Sequence, residues 1–494
     1  MLRWKSVIHI VARLNTGLGL SMIVPLMMAL LLQEPDAPAF GLAMLITVLL
    51  NGAVVLKFRN GIPDIGHREG FAIVTLGWFS ACLFAALPFY FFGQMGHVPE
   101  LGRFTNAFFE STSGMTTTGA TILAKISALP HASHWWRSII QWYGGMGIIV
   151  FSLVLLPRLG VGGMQLFKAE VPGPTADKST PRLQDTARML WRVYILISAA
   201  EVVTLLVAGM DVFNAFCHTF TTMATGGFSP HDNGIMHYAA SPAVIIVLTF
   251  FMFVAGTNFS LHMGFLLNKK FRIHLRNGEF KVYALLIAVF SALVAVLLVG
   301  NDIYDSIPEA VMHALFNVIS LVTTTGYNSA DFEAWGALVP AIAIIVFVTM
   351  FFGGMSGSTG GAIKTVRLWI VGKLAWRELQ RLVHPRGVFT IKSGNRKVTE
   401  GVIHGIAGFF ILYIAIFFAG SIVVSFSGTD FVTSATAVAS CLGNVGPGLG
   451  AIGPTDNYLG LAIWVKWLLA VLMVVGRLEI YTVLVLLSPF FWKK

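Results

Sequence analysis

Apolar runs long enough to cross a bilayer recur along this chain, and they constrain its fold more than any other feature. Ten stand out, at 6–32, 40–56, 71–92, 135–156, 189–210, 242–267, 282–300, 339–370, 402–426 and 459–491. A helix needs about 20 mostly apolar residues to span roughly 30 Å of hydrocarbon. With 56% hydrophobic and 11% charged residues, against about 25% charged in soluble domains, the chain reads as an all-α polytopic membrane protein. Arg3 and Lys5 precede the first run as they would in a signal peptide. That run is too long and has no small-residue cleavage site, so it is expected to be the first span.

The net charge of +10 is distributed by side. Lys and Arg gather in alternate connections: at Lys57, Arg59 and Arg68, within 158–192, 269–281 and 364–397, and at Lys493 and Lys494. The opposite connections hold mainly acids, among them Glu34, Asp36, Asp211, Asp232, Asp302 and Asp430. The positive-inside rule therefore puts the basic connections and both termini in the cytoplasm. No aromatic interleaving or binding module accompanies the charge, so a nucleic-acid partner is not expected. Cys82, Cys217 and Cys441 are too scattered for a disulfide framework or a metal site.

After the first two runs, every outward connection holds a stretch too short to cross, followed by a turn with a glycine. The four read "NAFFESTSGMTTTGAT", "NAFCHTFTTMATGGFS", "ALFNVISLVTTTGYNS" and "SATAVASCLGNVGPGL", and they align on Gly119, Gly227, Gly326 and Gly446. Two full spans lie between successive glycines. The expected architecture is ten transmembrane helices with four re-entrant pore half-helices. It divides into an N-terminal pair of spans (1–66) and four pore repeats at 67–158, 187–270, 281–374 and 400–494. Non-helical backbone survives at membrane depth only where protein buries it or it lines a wet cavity. Four such turns around an axis make that cavity, with the negative ends of four helix dipoles aimed at its centre. Rings of carbonyls can then replace the hydration shell of a monovalent cation. No carboxylate lies within the turns, which argues against a divalent site.

These turns, the segment "GGMSGSTGGAIK" and the arginine in "VVGRLEIY" resemble the TrkH/TrkG/KtrB superfamily of potassium transporters over essentially the whole chain. That family resembles four fused potassium-channel subunits, and the extra N-terminal spans match its TrkH branch. The resemblance implies potassium uptake across a bacterial inner membrane, with potassium as substrate and no organic cofactor. It implies ion ligands at the carbonyls of Thr116, Thr117, Ala224, Thr225, Thr323, Thr324, Gly443 and Asn444. The fourth turn departs most from the threonine-rich pattern, at Asn444 and Pro447. A gate is implied at the intramembrane loop 353–361, through Gly353, Gly354, Gly357, Gly360 and Gly361, together with Arg477. A homodimer seated on a cytosolic, TrkA-like nucleotide-binding ring is also implied, and the ring is expected to dock on the basic linkers, with Arg377, Arg381 and Arg386 among the residues that would meet it.

Five glycines in nine residues oppose a continuous helix through 339–370 whatever their role. Arg477 is expected to face a cavity or to pair with Glu110 or Glu201, and Lys466 to snorkel toward the outer face. Two rival readings remain. Residues 354–357, "GMSG", also fit an intramembrane serine protease, which would need His262, His313 or His404 near the serine. The other rival is a secondary transporter coupling potassium to protons or sodium, with buried carboxylates as its signature.

Overall fold

The computed structural model describes residues 2–58, 66–93, 100–150, 180–267, 269–270, 272–393 and 396–492, and helices carry nearly all of it. Six helices are long and apolar enough to cross a membrane unaided: Trp4–Leu31, Ala37–Lys57, Arg68–Phe92, Asp185–Val207, Gly278–Gly300 and Glu400–Ser425. Two more spans are sharply bent: Pro242–Ala255 with Phe259–Leu266 at 103°, and Ile463–Arg477 with Tyr481–Leu487 at 115°. The chain is a multi-pass membrane protein. These eight coincide with eight of the ten expected runs. The run 135–156 is helical as His131–Val150, and its end lies outside the described residues. So do Arg59, most of the basic connection 158–192, Lys493 and Lys494. The run 339–370 is divided between Pro340–Thr349 and Thr365–Val383, with the glycine stretch between them.

Between the spans lie four shorter helices, Glu100–Met115, Val212–Met223, Ile307–Val322 and Phe431–Gly443. The longest two, at 16 residues each, rise about 24 Å at 1.5 Å per residue, too little to cross. Asp211 and Asp430 start two of them by accepting from the N–H groups of Asn214 at 3.0 Å and Thr433 at 3.1 Å. Beyond their first turns these helices are buried but for exposed Val311 and Leu315 and a few half-buried side chains. They converge on the middle of the molecule, and the long spans surround them.

The bends have local causes. Asn258 restarts the helix after the 103° bend by accepting from Ser260 N–H at 2.8 Å. At the 115° bend, Glu479 and Ile480 take φ of 58° and 53°. There Glu479 makes a buried ion pair with Arg367, whose guanidinium also lies 4.0 Å from the Phe409 ring centroid. A charge withdrawn from water needs such a partner. The glycine stretch closes on itself where Phe352–Gly353 pairs in parallel with Ile363–Lys364. That two-residue ladder and an antiparallel one, Lys392–Ser393 with Arg396–Lys397, are the exceptions to an all-helical fold among the described residues.

One expectation fails. Lys466 does not snorkel: it is 4% exposed, and its Nζ donates to Asn106 Oδ1 at 2.9 Å and Leu459 O at 2.8 Å. Asn106 on the first half-helix and the carbonyl of Leu459 supply the acceptors that the outer surface was expected to offer. The Arg367–Glu479 pair generates a test. Glu479→Gln leaves a guanidinium buried without its counter-charge, a loss of about 3–5 kcal/mol. The thermal midpoint of the detergent-solubilised protein should fall by several degrees, measured by intrinsic fluorescence.

Candidate ion pathway

The four half-helices end alike. Thr117, Thr225, Thr324 and Asn444, each two residues before its aligned glycine, have φ of 52°, 53°, 58° and 55°. A left-handed residue closes a helix by a 6→1 hydrogen bond, and here the donors and acceptors repeat in register. Thr118 N–H donates to Ser113 O, Gly226 to Thr221 and Thr325 to Ser320 at 2.8 Å each, and Val445 to Ser440 at 2.9 Å. The N–H groups that follow the left-handed residues are thus consumed by the helices behind them, and several carbonyl oxygens of the turns are left without donors among the described residues. Non-glycine residues resist this conformation at a cost of about 1–3 kcal/mol each. Asn tolerates it better than most, which explains how the divergent fourth turn keeps the same shape.

The turns also interlock. A Cβ on Gly119 would meet Gly226 O at 2.2 Å, one on Gly227 Thr325 O at 2.0 Å, one on Gly326 Val445 O at 2.1 Å, and one on Gly446 Thr118 O at 2.7 Å. Each glycine therefore lies against the carbonyl preceding the next repeat's glycine, and the fourth closes on the first. Their φ values are 83°, 74°, 81° and 112°. Dihedral and space both demand glycine.

Of the eight carbonyls expected as ligands, those of Thr117, Thr225, Thr324 and Asn444 accept no hydrogen bond among the described residues. The adjoining ring is uneven. Thr116 O and Thr323 O are likewise unengaged, Ala224 O accepts from Thr225 Oγ1 at 2.6 Å, and Gly443 O accepts from Ala362 N–H at 2.8 Å. The hydroxyls brace the helix ends: Thr116 Oγ1 donates to Thr112 O at 2.6 Å and Thr323 Oγ1 to Ile319 O at 2.7 Å. Asn444 Nδ2 ties the fourth wall to the first through Thr118 Oγ1 at 3.0 Å.

The glycine stretch lies directly against these turns. A Cβ on Gly361 would meet Gly443 O at 2.3 Å, and one on Gly360 Thr323 O at 2.9 Å. Gly353 packs on Gly361 O and Gly354 on Gly256 O, while Gly357, at φ 75°, accepts from Phe259 N–H at 3.1 Å. Arg477, 2% exposed, donates from Nη1 to Thr359 O at 2.6 Å and from Nη2 to Gly144 O at 3.2 Å. It pairs with neither Glu110, which is held by Arg137 at 2.9 Å, nor Glu201. Two anchors of the loop escaped sequence reasoning: Lys364 Nζ donates to Gly360 O, and Glu279 accepts from Ser356 N–H at 2.7 Å. The lysine closing "GGAIK" was the available signal.

On the other side the four aligned glycines line one cavity with Asp232 and Asp456. Partial burial opposes charge on Asp232. The hydroxyl and N–H of Ser127, the N–H of Ile126 and the charge of Lys125 outweigh it and hold the carboxyl below its ordinary range. The mouth keeps a negative charge at neutral pH, which raises the local cation concentration.

The protease geometry is not met at the histidines best placed for it: His262 bonds Val254 O and His274, and His313 bonds Ser329, not Ser356. The expected docking arginines are not equally available either. Arg377 is buried and paired with Glu400 at 2.7 Å and Glu378 at 3.1 Å, and Arg381 pairs with Glu378 at 3.2 Å.

Residues 37–494 match the model of the TrkH family, described as cation transport protein. The chain belongs to the TrkH cation transport family. It is therefore a transporter and not an enzyme. The Trk system potassium uptake protein TrkH of Escherichia coli (strain K12) is 37% identical over 494 residues, covering 100% of both chains. The TrkG protein of the same strain is 34% identical, covering 99% of each. The crystal structure of the potassium transporter TrkH from Vibrio parahaemolyticus superposes with a TM-score of 0.90 at 32% identity, covering 100% of both chains.

Steric closure of a TrkH-type ring is testable at Gly326, which is confined both by backbone and by Pro447. Gly326→Ala should leave inserted, helical protein by circular dichroism, with cation flux reduced at least several-fold, since even one strained residue costs about 1–3 kcal/mol.

Proposed function

We propose that this chain takes up potassium across a bacterial inner membrane through a central pore whose filter is built from the four turns. The observation that carries the reading is the cyclic contact of Gly119, Gly227, Gly326 and Gly446 with their neighbours' carbonyls. A potassium ion entering the mouth exchanges water for the carbonyls of Thr117, Thr225, Thr324 and Asn444, the ring free of competing donors. Four neutral oxygens supply partial charge to a monovalent ion without the deep binding that carboxylates would impose, so the ion can leave again. The ring formed by Thr116, Ala224, Thr323 and Gly443 shares an oxygen with the glycine loop, through Ala362 N–H on Gly443 O. Movement of the loop would free that oxygen and open the path below it at once. Arg477 adds a fixed positive charge at the same level, which raises the barrier to a cation in a low-dielectric pore.

Sidedness follows from the basic connections, which set both termini and the helix Thr365–Val383 in the cytoplasm. That helix leads straight out of the glycine loop, so a force on it reaches the gate with little slack. We take the partner to be a cytosolic TrkA-like nucleotide-binding ring acting on a homodimer of this chain. Arg386 and the exposed part of the linker are better placed to meet it than the paired Arg377.

A specific feature favours proton-coupled symport as the second reading. Glu201 is 0% exposed beside Thr222, behind the second half-helix, and neither carboxyl oxygen makes a hydrogen bond of ordinary geometry among the described residues. Proteoliposomes separate the readings: rubidium-86 uptake should follow the potassium gradient alone, with sodium and lithium competing poorly. Uptake driven uphill by an imposed proton gradient, and abolished by Glu201→Gln, would establish symport instead.

The gate has its own test. Arg477→Ala should raise passive rubidium flux, since removing only about 1.4 kcal/mol of barrier gives a tenfold rise. Reduced flux in correctly inserted protein would make Arg477 structural.

A further inference from the structure

Behind the carbonyl rings the half-helices carry a second set of buried polar groups, again in register. Nine residues before the aligned glycine stand Glu110, His218 and Asn317, all buried. Each reaches a hydroxyl just past the glycine of its own turn. Glu110 accepts from Thr121 Oγ1 at 3.1 Å and from Ile122 N–H at 3.0 Å. His218 has Nδ1 2.9 Å from Asn214 O, which can only accept, so Nδ1 holds the proton and Nε2 accepts from the Ser229 hydroxyl at 3.2 Å. Asn317 Nδ2 donates to Ser329 Oγ at 3.1 Å, and His313 meets the same oxygen at 2.9 Å.

The fourth wall has Ala437 at this position and ties its turn by other groups. Thr436 Oγ1 accepts from Leu449 N–H at 3.0 Å, and Ser440 Oγ accepts from Gly446 N–H at 3.0 Å and donates to Gly446 O at 2.7 Å. Four different chemistries thus fasten the same stretch of backbone. Arg137 joins two of them: its Nε binds Glu110 at 2.9 Å, its Nη1 donates to Ser229 O at 3.1 Å, and its guanidinium lies 4.1 Å from the Phe228 ring centroid.

Each turn is therefore held at both ends, by the helix terminus on one side and on the other by this side chain or, in the fourth wall, by Thr436 and Ser440. We infer that Glu110 with Arg137, His218 and Asn317 are positioning residues for ion selectivity, touching no ion but setting how far each wall can move inward. This inference rests on the four turns being a potassium filter. A ring that cannot contract around a smaller ion leaves that ion underligated, whereas a loosened ring relaxes around it. Loosening one brace should then lower the preference for potassium over sodium while conduction continues.

Competition of sodium and potassium against rubidium-86 uptake in proteoliposomes tests this, because preference is a ratio that a change in folded fraction does not move. Asn317→Ala and Ser329→Ala are neutral at both ends. Each should lower the preference several-fold, and the double variant should lower it no further, as residues acting as a unit are non-additive. Glu110→Gln should act in the same direction, and Glu100→Gln, on the exposed first turn of the same half-helix, should change nothing. Unaltered preference in Asn317→Ala, Ser329→Ala and His218→Ala proteins that retain uptake would overturn the bracing role. Should Glu110→Gln not insert, the Asn317, Ser329 and His218 variants decide. If the unsubstituted protein itself fails to distinguish potassium from sodium, the filter reading falls, and the bracing falls with it.

Discussion

A backbone carbonyl at membrane depth must have a partner, and the centre of this molecule is built around carbonyls that have none among the described residues. Lipid offers no hydrogen bonds, so such groups persist only where something else meets them. The surroundings follow from that requirement. Half-helices too short to cross deliver the turns to the centre. Left-handed residues close those helices and take up the N–H groups. Glycines let each turn lie against the next, so the four walls become one ring. The long spans are the wall that keeps lipid away from it.

The same constraint explains how the charged residues are used. Arg477, Lys364 and Glu279 all bond backbone of the glycine loop, which as non-helical chain has its own unsatisfied groups. Arg367 and Glu479 hold the bend beside them. Beneath the four turns, then, charge serves to keep an irregular segment in one place, and the same contacts satisfy that segment's backbone. A loop held this way needs a competing set of partners before it can move. Behind the turns the buried Glu110–Arg137 pair serves a different end, fastening two neighbouring walls.

Much of this was legible beforehand. The spans announce themselves because hydrophobic length is a local property, and eight of ten appear as continuous or bent helices. The register of Gly119, Gly227, Gly326 and Gly446 was readable because a positive φ is a demand made on one residue at a time. The break at 353–361 was visible for the same reason. Arg477 was suspected because a lone arginine inside an apolar run needs an explanation.

What the chain alone could not decide was partnership across distance. Lys466 finds Asn106, Arg477 finds Thr359 and Gly144, and Glu110 finds Arg137 only once separate helices are packed together. Nor could spacing tell which of two carbonyl rings is whole, because the hydrogen bond from Ala362 to Gly443 joins different repeats. Helix, turn and break are decided by the preferences of neighbouring residues, which a sequence displays. Hydrogen bonds between elements depend on distances of an ångström or less, and only the closed ring of four walls decides those.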